Sequence, residues 1–123
     1  MIQALTVLIV HDDRRVSAWL ATKLEGKADV SVANTFDEAK AMLTTNPPAA
    51  LITGLRLGQY NGLHLIIRSR IDHPATAGFV ILENADPAVE QEAAAHGAVC
   101  LRYPAQQKEL MSLVAVALER VGR

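Results

Sequence analysis

The hydrophobic period of this sequence switches back and forth along the chain, and that alternation limits the fold more than any other feature. Residues 5–10 form a nearly continuous apolar run rich in β-branched side chains, which is typical of a strand covered on both faces. From Asp13 onward the period becomes helical, with Val16, Leu20 and Leu24 on one face and Gly26 at the end. The chain therefore opens with a predicted strand and a predicted helix.

The same unit of strand and helix recurs four more times. Thr35 and Glu38 are spaced as a capping box, Asp86 precedes a proline at a first helical position, and Gly97 stands where a left-handed residue closes a helix. The remaining strands are predicted at 29–33, 49–53, 79–82 and 98–102, and the remaining helices at about 35–46, 62–71, 86–96 and 105–121. Since parallel neighbours need a crossover, five such units predict an α/β fold, a parallel five-stranded sheet with helices on both faces.

Periodicity also predicts which side of the last helix is buried. Its inward face is expected to carry Leu110, Leu113, Val114, Ala117 and Val121.

Composition excludes several classes of protein. The 123 residues suit one domain, and 12 basic against 13 acidic residues give a net charge of −1, unlike a nucleic-acid binder or a polybasic membrane anchor. The single cysteine, Cys100, excludes an intrachain disulfide and a zinc site built on several thiolates. No apolar run is long enough to span a bilayer. We expect a cytoplasmic protein with one domain over 1–123 and no attached effector domain, binding neither nucleic acid nor membrane.

Functional residues are expected just after the predicted strands, because ligands of such sheets bind at the carboxyl ends of the strands. The residues at these positions are His11, Asp12 and Asp13 after the first strand, Gly54 after the third, Glu83 after the fourth and Tyr103 after the fifth.

These segments resemble the signature of a known family. Val10-His11-Asp12-Asp13 resembles the acidic strand-one motif, and residues 54–57 with 61–63 resemble the segment that begins at a phosphoacceptor. Residues 79–83 and 97–104 occupy the two remaining signature strands. Over essentially its whole length the chain resembles the response-regulator receiver domain of the CheY-like superfamily. The resemblance implies a flavodoxin-like, three-layer αβα fold with strand order 2-1-3-4-5 and five helices, and a role in two-component phosphorelay signalling.

The family's active residues do not carry over to this chain. The resemblance matches the phosphoacceptor aspartate to Gly54, the hydroxyl after strand four to Glu83, and the lysine to Tyr103. His11 replaces the first member of the acidic pair, which leaves Asp12 as the match to the second. Phosphoryl transfer needs a nucleophile, bound magnesium and cationic stabilisation. The sequence therefore predicts a degenerate pseudo-receiver that is not an enzyme and has no cofactor.

Each residue of this degenerate site also has a structural interpretation. Asp13 is expected to cap the first helix, and a magnesium site on Asp12 and Asp13 is the weaker alternative. His11 is expected to hydrogen-bond Asp12 or Glu83, and the three groups are hypothesised to titrate together near neutral pH. Gly54 is expected either to have a positive φ or to leave space into which Glu83 folds.

The predicted function is phosphorylation-independent binding of other signalling proteins, a kinase or a regulator, with a homodimer as a further possibility. The resemblance places the partner surface on helix four, strand five and helix five. Two alternatives stay open: a working receiver phosphorylated at a neighbouring carboxylate such as Asp13, and a small-ligand or pH sensor that uses the vacated pocket. The residues expected on the partner surface are Val89, Ala93, Arg102, Gln106, Leu110 and Met111.

Overall fold

The computed structural model describes residues 5–121; residues 1–4 and 122–123 of the predicted domain lie outside that range. The elements in chain order are β1 (Thr6–Val10), α1 (Arg14–Leu24), β2 (Asp29–Ala33), α2 (Phe36–Thr45), β3 (Ala50–Gly54), β4 (Arg56–Leu57), β5 (Tyr60–Asn61), α3 (Leu63–Asp72), β6 (Ala77–Leu82), α4 (Pro87–Ala95), β7 (Val99–Arg102) and α5 (Gln107–Val121).

Five of the strands form one parallel sheet in the order β2-β1-β3-β6-β7. The register is regular across the centre, where Ile9 pairs with Ile52 and Ile52 with Phe79. The two-residue strands β4 and β5 pair with each other in a separate antiparallel hairpin. Without that hairpin, the order is the expected 2-1-3-4-5, and the flavodoxin-like α/β fold is confirmed.

Side chains alternate between two cores, one on each face of the sheet. In β1, Leu8 and Val10 point into the core shared with α2, α3 and α4, whereas Val7 and Ile9 point into the core shared with α1 and α5. The predicted three layers are therefore present. The carboxyl ends of the central strands, where functional residues are expected, lie at one edge of this sandwich.

The predicted helix boundaries are confirmed where a specific hydrogen bond was expected. Thr35 caps α2 by accepting the amide of Glu38, and the Glu38 carboxylate accepts the Thr35 hydroxyl. Asp86 caps α4 by accepting the amide of Val89. Gly97 follows α4 with a φ of 76°, the left-handed conformation that glycine adopts without steric cost.

Two expectations about the chain are wrong in detail. Residues 54–61, between the predicted strand at 49–53 and the predicted helix at 62–71, include the β4–β5 hairpin, which was not predicted. In α5, Leu113 and Val121 were expected inward and are exposed. The buried face follows Leu110, Val114 and Leu118, and at 100° per residue Leu113 lies about 60° outside it. Val121 lies in line with that face and is exposed as the last residue of α5.

Among the helices within residues 5–121, none combines the length and the apolarity needed to cross a lipid bilayer.

Candidate functional site

A cleft of about 400 Å³ lies at the carboxyl ends of the strands, where the sequence predicted the site. It brings together His11, Asp12 and Glu83, three of the six predicted residues. Its other lining residues are Leu55, Arg56 and the remainder of residues 81–86. The other three, Asp13, Gly54 and Tyr103, are not part of the lining. Gly54 lies against the His11 ring, and Asp13 and Tyr103 have structural roles elsewhere.

The imidazole of His11 occupies the space beside Gly54. A Cβ atom added to Gly54 would lie 2.9 Å from His11 Cδ2 and 3.2 Å from Nε2, closer than ordinary van der Waals contact. The His11 side chain is only 16% exposed, and Glu83 is exposed at the rim. The expectation that Glu83 folds into this space is therefore wrong, because the histidine ring already fills it.

The backbone of Gly54 is ordinary strand. Within residues 5–121, positive φ angles occur at Gly26, Gly58 and Gly97 and not at Gly54. The expectation of a positive φ at Gly54 is therefore wrong. What favours glycine here is the close approach of the His11 ring, since any side chain would have to displace it.

His11 is fixed by a backbone hydrogen bond that sequence analysis did not anticipate. Its Nδ1 accepts the amide of Asp13 at 3.0 Å, so Nδ1 carries no proton in this arrangement. Asp12 Oδ1 lies 3.5 Å from the same Nδ1, and with no proton between them the contact is not an ion pair. The predicted hydrogen bond from His11 to Asp12 or Glu83 is therefore replaced by one from the Asp13 amide.

Asp13 caps α1, as expected. Its carboxylate accepts the amide of Arg15 at 2.9 Å and also lies 3.4 Å from the Arg15 guanidinium. The hydrogen bond from the Arg15 amide, followed by that from its side chain, lowers the pKa of Asp13 below its usual value. The carboxylate is thus ionised and already has donors as partners.

The residues of the cleft do not fit a magnesium ion. Mg²⁺ needs several oxygen ligands in octahedral geometry. Asp13 is held at the cap of α1, Gly54 offers no side-chain oxygen and Asp86 caps α4, which leaves Asp12 and Glu83 among the carboxylates that line the cleft. Within residues 5–121, no three His, Cys, Asp or Glu side chains are placed to share a metal.

Tyr103 packs against α1 rather than into the cleft. Its ring lies 5.3 Å from that of Trp19, at an interplanar angle of 61°. Burial, and then the negative charge of Asp13, raise the pKa of the Tyr103 hydroxyl. The side chain at the position matched to the family's lysine is therefore neutral at physiological pH and is held by aromatic packing.

Two residues near Gly54 escaped sequence analysis. The Thr53 hydroxyl is fully buried and donates to the Gly54 carbonyl at 2.9 Å. A side chain at Gly62 would collide with that same carbonyl oxygen, so α3 can begin this close to β3 only with glycine. A close backbone approach between distant segments leaves no periodic signal in the sequence.

The predicted partner surface is only partly exposed. Ala93 and Leu110 were expected on it, but they are 0% and 1% exposed and lie in the two cores. This part of the prediction is wrong because each residue is on the inward face of its helix. Arg102 is exposed, and Val89, Gln106 and Met111 are half-buried.

No protein-family model and no curated protein matches the chain. Solved structures match in large number. A receiver domain protein from Methanospirillum hungatei is 18% identical with a TM-score of 0.87, covering 96% of each chain. The signal receiver domain of a Luxo repressor protein from Vibrio parahaemolyticus is 18% identical with a TM-score of 0.86, covering 96% of this chain and 92% of that one. The beryllofluoride-activated NtrC4 receiver domain dimer is 20% identical with a TM-score of 0.83, covering 94% and 97%.

These matches define the class of the fold. The chain has the fold of a response-regulator receiver domain, over nearly its whole length and nearly the whole length of these three structures.

Proposed function

We propose that this chain is a receiver-fold signalling module that acts by binding other proteins and is not phosphorylated in its cleft. The observation that carries the proposal is the pair formed by Gly54 and His11. Gly54 has no side chain to accept a phosphoryl group, and the His11 ring fills the space that a side chain would need. A nucleophile is thus missing at the end of the central strand, and its place is taken by a packed side chain.

The charges around the cleft also oppose a phosphoryl dianion. Asp12, Glu83 and Asp86 line it with three carboxylates, against one cation from Arg56. These carboxylates would repel a phosphoryl group, whereas phosphoryl transfer needs cationic stabilisation. Tyr103 supplies no positive charge from the opposite side, because its ring is packed on Trp19.

Binding of a partner is the activity that this arrangement leaves available. Arg102, with the exposed parts of Val89, Gln106 and Met111, offers a surface on α4, β7 and α5 for a kinase or a regulator. One structural neighbour was solved as a receiver dimer, which supports association between domains of this fold. Phosphorylation at Asp13 is opposed by its hydrogen bonds to Arg15, which hold the carboxylate at the helix cap. Use of the cleft as a ligand or pH sensor stays a prediction.

A titration with beryllofluoride and Mg²⁺ tests this proposal. Beryllofluoride mimics a phosphoryl group on a carboxylate, and it activated the DrrB receiver domain, which serves as the positive control. In ¹H–¹⁵N spectra of this chain we expect no saturable shifts of the amides at 11–13, 54 and 83. Shifts centred on 12–13 would overturn the proposal in favour of a working receiver with a neighbouring acceptor.

A further inference from the structure

One face of α3 exposes apolar side chains to solvent. His64, Ile67 and Ile71 recur at spacings of three and four and point away from the buried face of the helix. Ile71 is 74% exposed, the highest value among the large hydrophobic residues exposed within residues 5–121. We call this face of α3 the α3 strip: it consists of His64, Ile67, Arg68, Ile71 and Asp72, which together line a groove of about 380 Å³.

Aromatic side chains from neighbouring elements extend this strip. Phe36, at the start of α2, stacks on Tyr60 with ring centroids 4.8 Å apart. The same ring meets His64 edge-on at 6.5 Å. Tyr60 is itself exposed, so the apolar surface runs from the β4–β5 hairpin along α3. Contiguous apolar surface of this kind marks interaction sites on soluble proteins.

The strip carries one positive and one negative side chain, and the ion pair between them is weak. Arg68 Nε lies 3.9 Å from Asp72 Oδ2, at the outer limit of an ion pair, and the two side chains are 48% and 52% exposed. Such a pair contributes little within one chain. Both groups therefore keep hydrogen-bonding capacity for a second molecule.

The arrangement is complementary to itself. If two copies of α3 pack antiparallel about a two-fold axis beside residues 69–70, Ile67 of one copy faces Ile71 of the other, and Arg68 faces Asp72. A two-fold interface requires this kind of reciprocal pairing, in which each contact occurs twice. The protruding Ile71 and the groove beside it lie on the same helix, so each copy supplies both halves of the fit.

We propose that the α3 strip, defined as His64, Ile67, Arg68, Ile71 and Asp72, is a docking surface for a second copy of this chain. Ile71 of each copy enters the groove of the other, and the Arg68–Asp72 pairs are exchanged between copies. A strongly charged partner is disfavoured because the strip holds one cation and one anion. The inference goes beyond the proposed function and does not depend on the state of the cleft.

Charge reversal tests the pairing directly. In Arg68→Glu both charged positions are acidic, and in Asp72→Arg both are basic, so each variant alone should be monomeric. A 1:1 mixture should recover the dimer, since the two strips then attract. The pair within one chain is broken in both variants, so its loss cannot explain the recovery. Because one helix face makes a small, weak interface, sedimentation velocity must extend to about 1 mM.

Matched variants locate the interface. Ile71→Glu should raise the dissociation constant at least about tenfold. Arg102→Glu, an exposed change on the α4–β7–α5 surface, should leave it unchanged, and circular dichroism confirms that each variant is folded. Monomers at every concentration, no recovery in the mixture, or a dimer lost in Arg102→Glu but kept in Ile71→Glu would each overturn the inference. The beryllofluoride titration on Ile71→Glu reports on the cleft separately.

Discussion

The close fit between His11 and Gly54 predicts that Gly54→Ala destabilises the native chain but is neutral or stabilising when His11 has been replaced by alanine. In the native chain, Gly54→Ala places a Cβ atom 2.9 Å from the His11 ring, so the ring must move and its hydrogen bond from the Asp13 amide is strained. Overpacking of this kind costs about 1–3 kcal/mol. Replacing glycine by alanine at a compatible backbone angle also stabilises the fold by about 0.4–1 kcal/mol, because it lowers the conformational entropy of the unfolded chain. We expect a net loss of about 1–2 kcal/mol.

In the background His11→Ala the same substitution meets no clash, because the three nearest atoms to the added Cβ, out to 3.5 Å, all belong to the His11 ring. Gly54→Ala should then be neutral or stabilise the fold by up to about 1 kcal/mol. His11→Ala alone should cost about 1–2 kcal/mol through the lost packing and hydrogen bond.

Equilibrium unfolding in urea measures all four proteins, with the fluorescence of Trp19, the single tryptophan, and far-ultraviolet circular dichroism as probes. The double-mutant cycle should give a coupling free energy of about 1–3 kcal/mol. An equal loss from Gly54→Ala in both backgrounds would refute the account of the emptied site, because the ring would then not occupy the space beside Gly54.

Four further predictions concern local interactions. Thr35→Ala removes the α2 cap and should lower the free energy of unfolding by about 1 kcal/mol. Thr35→Ser keeps a capping hydroxyl and should lose much less, so equal urea midpoints for the two variants would contradict this. Burial raises the pKa of Cys100 to about 11, so alkylation by iodoacetamide at pH 8 should be about 100-fold slower than that of free cysteine. The thiol loses its proton at lower pH in the unfolded chain than in the folded one. The free energy of unfolding should therefore fall as pH rises from about 9 to about 11. Tyr103→Ala should cost about 1–2 kcal/mol by losing the Trp19 contact, while Tyr103→Phe should cost less than about 0.5 kcal/mol in the same assay.

Much of the fold could be predicted from the sequence because its signals are local. The β-branched run in β1, the capping box of Thr35 and Glu38, and the glycine at 97 each act within a few residues and appear in the structure as expected. The strand order came from the family resemblance, since crossover connections alone permit several orders.

The site could be predicted in composition but not in geometry. The sequence placed His11, Asp12 and Glu83 at one edge of the sheet, and they do line one cleft. It could not show that the His11 ring, rather than Glu83, fills the space beside Gly54, since that depends on side-chain rotamers set by contacts between separate strands. Ala93 was wrongly assigned to the surface, since one residue of helix rotation decides burial. Leu110 is buried, as periodicity predicts, and its place on the partner surface, which came from the family resemblance, is wrong.

Treatment with a small phosphodonor tests the central claim, that this receiver fold works without a phosphoryl acceptor in its cleft. The chain would be incubated with acetyl phosphate and Mg²⁺, beside an active receiver domain as control, and its intact mass measured. The account predicts an unchanged mass while the control gains one phosphoryl group. An acid-labile adduct of about 80 Da on Asp12, Asp13 or Glu83 would contradict it.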